Sequence, residues 1–291
     1  MSDTKITFQS MGRRLSGAVR VPDSVNPGEK RPAFIVMHGF GSNSNSSNVT
    51  EPCAMFEKLG YVTLRFDMPG CGESEGERGN LICLEQVQAA SDGLAFLTKH
   101  PNVEASRIGL IGSSLGAAIA VYTIGVDNRV AAAISSGGWG DGERKFRGQH
   151  KSPEEWARFT NMLKEGREHR AKTGKSLMVP RYDIVPIPPH LRTNLAQNSI
   201  HEFPAETAQS MFDFVADNVV GKIAPRPLLL IHASNDSVTP TEQSIELFKR
   251  AGQPAELHLF SNVDHFLFAE DNARVWGVMR DWLAKYFPAT R

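Results

Sequence analysis

The sequence predicts an α/β chain: a mostly parallel central sheet with helices on both faces, interrupted by an inserted helical lid. Three observations predict it. Short apolar runs alternate with stretches of helical periodicity, the pattern of strands joined by crossover helices. A Gly-x-Ser-x-Gly, Gly112 to Gly116, joins one such run to a small-residue helix. The alternation then fails over residues 139–224 and resumes at Pro227. The expected organisation is therefore a core of residues 1–138 and 225–291, with residues 139–224 as the inserted lid, or cap.

Residues 6–10 and 15–21 read as two strands of an antiparallel hairpin through Gly12. Residues 33–37 (Ala-Phe-Ile-Val-Met) form a continuous apolar run, which suits a parallel strand buried on both faces. It ends in His38-Gly39-Phe40-Gly41. A Gly-rich turn there can aim backbone N–H groups into a pocket, or simply end a strand. Residues 52–59 predict a helix stopped by Gly60, and residues 61–67 the next strand. The glycines of the following loop suit a tight pocket-side turn. Cys71 in that loop reads as a packed thiol rather than a nucleophile. Leu84, Val87, Ser91, Leu94 and Leu97 recur at helical spacing and predict a helix over residues 84–99. Residues 107–112 and 130–135 are further strands, separated by the helix over residues 115–124.

Inside the insertion, Ser152-Pro153-Glu154-Glu155 is a helix start: a capping serine, proline at the first helical position and early acids. Trp156, Phe159 and Leu163 share one face of that helix. Arg158, Lys164, Arg167 and Arg170 share the other, which reads as solvated. Residues 177–190 hold Pro180, Pro186, Pro188 and Pro189, and are expected to be largely irregular and unable to form a sheet. Residues 206–219 predict another helix. Beyond the insertion, residues 227–232 and 256–260 are strands, and residues 241–251 and 269–286 are helices.

Composition bounds the function. The 291 residues are 41% hydrophobic and include 16 Phe, enough for a sizeable core. Lys plus Arg equals Asp plus Glu, 32 each, so no global charge favours nucleic acid. No apolar run approaches membrane-spanning length, and the polar first residues lack a signal core. Cys53, Cys71 and Cys83 are an odd set without CxxC spacing, which fits a reducing compartment. A cytoplasmic protein without nucleic-acid or membrane partners is expected, with a homo-oligomer allowed. Neither HExxH nor a Cys/His metal spacing occurs, so neither metal nor cofactor is expected.

The chemistry comes from the residues just beyond each strand. In open α/β sheets, ligands bind outside the carboxyl ends of the strands. Placed there are His38-Gly39-Phe40-Gly41, then Ser114, then Asp236, then His265. Ser114 sits where a strand-to-helix turn would lift its hydroxyl above the sheet, a nucleophile elbow. Gly112 and Gly116 fit because a Cβ at either would clash. A serine hydroxyl needs a base, for which His265 is placed, and the base needs a carboxylate on its other nitrogen. Asp236 is preferred to Asp264, because adjacent side chains on an extended loop point apart. His232 and His258 lie within strands and read as packed or capping groups.

On these motifs the chain resembles the α/β-hydrolase superfamily over residues 33–137 and 227–287. Within it, it is similar to dienelactone-hydrolase-like and cinnamoyl/feruloyl-type esterases, which also carry an inserted lid. The resemblance implies an oxyanion hole made by the backbone N–H groups of Phe40 and Leu115. The leading expectation is a serine hydrolase that cleaves a carboxylic ester through an acyl-enzyme. The alternatives are a carbon–carbon bond hydrolase for a diketone-like substrate, an amidase or peptidase, and a non-catalytic ligand-binding protein on the same fold. The expected partner is a small molecule with an apolar acyl or aromatic group. Trp139, Trp156, Tyr182 and His190, with Phe146, are candidate pocket walls; their other reading is that the aromatics form the lid's own small core.

Overall fold

The computed structural model describes residues 3–26, 28–270 and 272–290. Strands β1 (Thr4–Ser10) and β2 (Arg13–Arg20) pair antiparallel. Met11 and Gly12 both take positive φ, 50° and 74°, as a two-residue hairpin turn requires. Then β3 (Arg31–Met37), α1 (Ser47–Lys58), β4 (Val62–Phe66), α2 (Cys83–Leu97), β5 (Val103–Ser113), α3 (Leu115–Val126) and β6 (Ala132–Ser136) alternate. Helix α1 begins at Ser47 rather than at Pro52. Pro52 lies inside the helix, where it removes one N–H donor, while the Val49 and Thr50 N–H groups bond the Ser46 carbonyl ahead of it.

The segment after β6 holds α4 (Gly142–Gln149), α5 (Pro153–Thr173), β7 (Met178–Pro180), α6 (Arg181–Ile184), β8 (Glu202–Pro204), α7 (Ala205–Phe212) and short 3-10 turns. The chain closes with β9 (Leu228–Ala233), α8 (Glu242–Arg250), β10 (Ala255–Phe260), α9 (Leu267–Glu270) and α10 (Asn272–Tyr286). Over the described residues, α9 and α10 cover the span expected to be helical, residues 269–286. The large sheet runs β1-β2-β4-β3-β5-β6-β9-β10. β2 meets β4 antiparallel, and every pairing from β4 to β10 is parallel.

Alternation along the strands builds two cores. In β3, Ala33, Ile35 and Met37 join one cluster while Phe34 and Val36 join the other. Helices α2 and α3 close the first face through Leu94 and Ile119, and α1 and α10 close the second through Phe56 and Trp282. Each such side chain contributes about 1.5–3 kcal/mol on burial. Helix α3 runs behind the sheet's centre and buries ten of its twelve residues. That is why it is apolar all round rather than on one stripe.

The inserted segment differs from expectation in two places. Residues 178–180 do pair, with residues 202–204, as a three-residue ribbon. Pro180 and Pro204 sit at its ends, where a missing donor is tolerated. The helix expected over residues 206–219 stops at Phe212. Beyond it the Phe214 carbonyl accepts from Gly142 N–H at 3.0 Å and Val215 bridges Asp141, so the backbone bonds leave the helix. Helix α5 starts as its sequence implies. Ser152 Oγ accepts from Glu155 N–H, and the Glu155 carboxylate accepts from Ser152 N–H, a reciprocal cap. Arg158, Lys164, Arg167 and Arg170 are exposed. No helix among the described residues is long and apolar enough to cross a membrane.

Lys145 on α4 is 1% exposed. Its ammonium bonds Gln149 Oε1 at 3.0 Å and lies 3.8 Å from the centre of the Phe146 ring. Burial pushes its pKa down to about 7, while the unfolded chain would hold the proton to about 10.4. The destabilisation it causes is therefore complete below pH 7 and fades as pH rises toward 10. Lys145→Met should raise unfolding stability by about 1–4 kcal/mol at pH 6. In urea titrations the gain should shrink to under about 1 kcal/mol at pH 10; an equal gain at both pH values would contradict the account.

Candidate active site

Ser114 occupies the turn between β5 and α3 with φ 55° and ψ −115°. Such backbone costs about 1–3 kcal/mol for a non-glycine residue. Close packing enforces it. A Cβ on Gly112 would fall 2.2 Å from the Gly116 carbonyl carbon and oxygen, and one on Gly116 would fall 2.6 Å from the carbonyl oxygens of Met37 and His38. Ser114 N–H bonds the Ser136 carbonyl at 2.9 Å, which ties the turn to the end of β6. Leu115 is the first residue of α3, so its N–H lacks an intrahelical partner.

The turn after β3 lies beside this one. A Cβ on Gly39 would be 3.5 Å from Ser114 Cβ. His38, just before it, is 1% exposed. Its Nε2 accepts from Met68 N–H at 3.0 Å, so Nδ1 carries the proton and donates to the Gly39 carbonyl at 2.9 Å. Burial holds its pKa below the ordinary value, which keeps this neutral tautomer. His38 thereby fixes the loops after β3 and β4 to each other.

Asp236 and His265 come from the loops after β9 and β10. His265 Nδ1 lies 2.8 Å from Asp236 Oδ2. Asp236 Oδ1 accepts from the N–H groups of Val238 and Thr239, at 2.8 and 2.7 Å. Burial would raise this carboxyl, but the charge of His265 and hydrogen bonds from His232 and His265 hold it well below the carboxylate range. The fully buried His232 places Nε2 3.2 Å from Asp236 Oδ2 and 2.9 Å from the Thr239 carbonyl, with Nδ1 2.6 Å from Ser244 Oγ. It packs as the strand position implies, yet it also braces the carboxylate. His258, half-buried, lies 3.3 Å from Glu256.

Asp264 faces elsewhere. Its carboxylate accepts from Ser237 N–H, Ser237 Oγ–H and His265 N–H at 2.7, 2.7 and 2.8 Å. It stitches the two loops together through the backbone of His265 rather than through its ring.

One pocket holds Ser114 and His265 together with Gly39, Phe40, Ser113 and Ser136. Its outer walls are Val185, Ile187 and Leu195 from the inserted segment, with Phe266 and Phe268 after β10. Trp139, Trp156, Tyr182 and His190 do not line it. Trp139 is fully buried under Lys145. Trp156 packs on Phe159 and Phe212, which also flank Phe146. Tyr182 carries the Arg192 guanidinium on its ring, and His190 is exposed. The aromatics of α4, α5 and α7 thus satisfy one another. The aliphatic walls carry no motif, and neither does Arg181, a buried pocket residue that nothing in the sequence separates from the surface arginines.

The three cysteines are free and buried, and burial pushes the Cys71 thiol up to about 12, unfit for nucleophilic attack. No cluster of three or more potential metal ligands occurs among the described residues.

A family model described as serine aminopeptidase, S33, matches residues 28–272. The chain belongs to this α/β-hydrolase family. Membership of S33 makes it a hydrolase by family. Over 294 residues it is 28% identical to an Escherichia coli protein described as an uncharacterized 31.7 kDa protein in the traX-finO intergenic region, covering 97% of this chain and 99% of that one. The thiohydrolase aneE of Aspergillus aculeatus is 25% identical, covering 80% of this chain and 78% of its own. Among solved structures, the α/β hydrolase GrgF from Penicillium sp. sh18 superposes with a TM-score of 0.81 at 21% identity, over 98% and 99% of the two chains. Est1E from Butyrivibrio proteoclasticus, solved with ferulic acid, gives 0.69 at 16% identity, over 97% and 98%.

The depressed Asp236 carboxyl contributes stability that is full above its unfolded pKa, about 3.9, and is lost as pH falls through the folded value. Asp236→Asn should cost about 1–3 kcal/mol at pH 7, and the difference between the two proteins should be clearly smaller at about pH 2. Denaturant unfolding at the two pH values measures this.

Proposed function

We propose that the chain hydrolyses carboxylic esters, thioesters included, through an acyl-enzyme on Ser114. The observation that carries the reading is the shared pocket of Ser114 and His265, with Asp236 bonded behind the imidazole at 2.8 Å. His265 Nε2 takes the Ser114 proton as Oγ attacks the acyl carbon. The N–H groups of Phe40 and Leu115 receive the oxyanion, and one such donor is worth about 2.7–4 kcal/mol of barrier. His265 returns the proton to the departing alkoxide or thiolate, then activates water to release the acid. Asp236 holds the tautomer that leaves Nε2 free. The inserted segment acts as a lid: Val185, Ile187 and Leu195 supply apolar walls that suit an aliphatic or aromatic acyl group.

The pocket's lining includes neither Asp nor Glu. A peptide with a free amino terminus would find no counter-charge there, which favours ester over aminopeptidase chemistry. A relative described as a polyketide transferase favours a second reading, in which an alcohol replaces water as acyl acceptor. Product analysis with added alcohol separates hydrolysis from transfer.

A fluorophosphonate probe should label Ser114 alone, and Ser114→Ala should abolish labelling and lower kcat/KM by about 10³ or more; a label on Ser113 would overturn the assignment. Asp236→Asn should lower kcat by about 10³–10⁴. Asp264→Asn should cost far less, since its bonds run to backbone and to Ser237. Steady-state kinetics of the two variants on one activated ester decides between them.

A further inference from the structure

Arg181 is the one permanently charged side chain among the residues lining the pocket. It is 3% exposed. Nη1 donates to the Ile200 carbonyl at 2.8 Å and Nη2 to the Phe40 carbonyl at 2.6 Å, while Nε has no partner. A guanidinium has five N–H donors, so three remain after these two bonds. Among the described residues it forms no ion pair. Its guanidinium lies over the Phe40 ring, 5.2 Å from the centroid, and burial lowers its pKa to about 10. Burying such a charge costs several kcal/mol when nothing opposite repays it.

A neutral amide side chain could bridge two carbonyls without that cost. The retained charge, the spare donors and the absence of any lining carboxylate all fit an anion that arrives with the substrate. Arginine also matches carboxylate geometry through two parallel N–H bonds. Val185, Ile187 and Leu195 can hold methylene groups between the two ends.

We infer that the pocket takes an acyl group ending in a carboxylate, paired with Arg181 while Ser114 attacks the other end. The inference rests on the reading of Ser114 as nucleophile. Substrates would be half-esters or half-thioesters of dicarboxylic acids, and Arg181 would be a specificity-determining residue rather than a catalytic one.

The test compares p-nitrophenyl half-esters of adipic and pimelic acid with their methyl-capped, neutral counterparts. The wild-type protein should prefer at least one charged ester by about tenfold or more in kcat/KM, chiefly through KM. Arg181→Lys should keep part of that preference, and Arg181→Met should erase it. A wild-type protein that favours the neutral esters, or that does not discriminate, overturns the inference. Because Arg181→Met removes two backbone anchors and could unfold, binding to the Ser114→Ala protein gives a second measure. By calorimetry, monomethyl adipate should bind about tenfold or more tighter than dimethyl adipate. Tighter binding of the acid without turnover of any ester by the wild type would sink the nucleophile reading and leave the anion site standing. Equal binding sinks the anion site.

Discussion

The close approach of Gly112 and Gly116 is the constraint on which the rest depends. Strand β5 and helix α3 meet with no room for a side chain, so the chain must reverse through Ser114 in a strained conformation. The strain is sustained because α3 is buried nearly all round and β5 lies mid-sheet between β3 and β6. A surface helix could relax and release it. The hydroxyl is therefore held by the core rather than by its own hydrogen bonds, and the loops after β9 and β10 need only bring Asp236 and His265 to it.

The inserted segment is bound to this arrangement, not merely laid over it. Arg181 bonds the Phe40 carbonyl, Ile200 N–H bonds the Gly41 carbonyl at 2.9 Å, and Phe203 stacks on Phe40 at 4.2 Å. Gly41, at φ 56°, is where the loop makes room: a Cβ there would fall 2.4 Å from the Phe203 ring. The aromatics of α4 and α5 also belong to the same apolar cluster as α2 and α3. The position of this segment and the shape of the first Gly-rich turn are consequently coupled.

Much of this was legible because strand ends are local features. The run before His38, the elbow at Ser114 and the apolar run before Asp236 each announce a buried strand, and the residues beyond such strands must gather at one sheet edge. Asp264 could be set aside by alternation alone, although its bonding to Ser237 could not be foreseen. The pocket walls were not legible, because packing between α4, α5 and α7 is tertiary. Trp156 and Trp139 look like ligands' neighbours by type, yet their partners are Phe159, Phe212 and Lys145. Arg181 and His232 escaped for the same reason: a buried cation or imidazole is recognised by its surroundings, not its spacing.

The three thiols have a practical consequence. Cys53, Cys71 and Cys83 are each about 1% exposed, and burial pushes them up to about 11, 12 and 12. Thiolate is the species that alkylating reagents trap, so the folded chain offers them almost no target. A single cysteine placed on an exposed position of α5 would stand alone as an attachment point. A fluorophore or spin label there would report on the inserted segment during turnover without first stripping the native sulfur from the core.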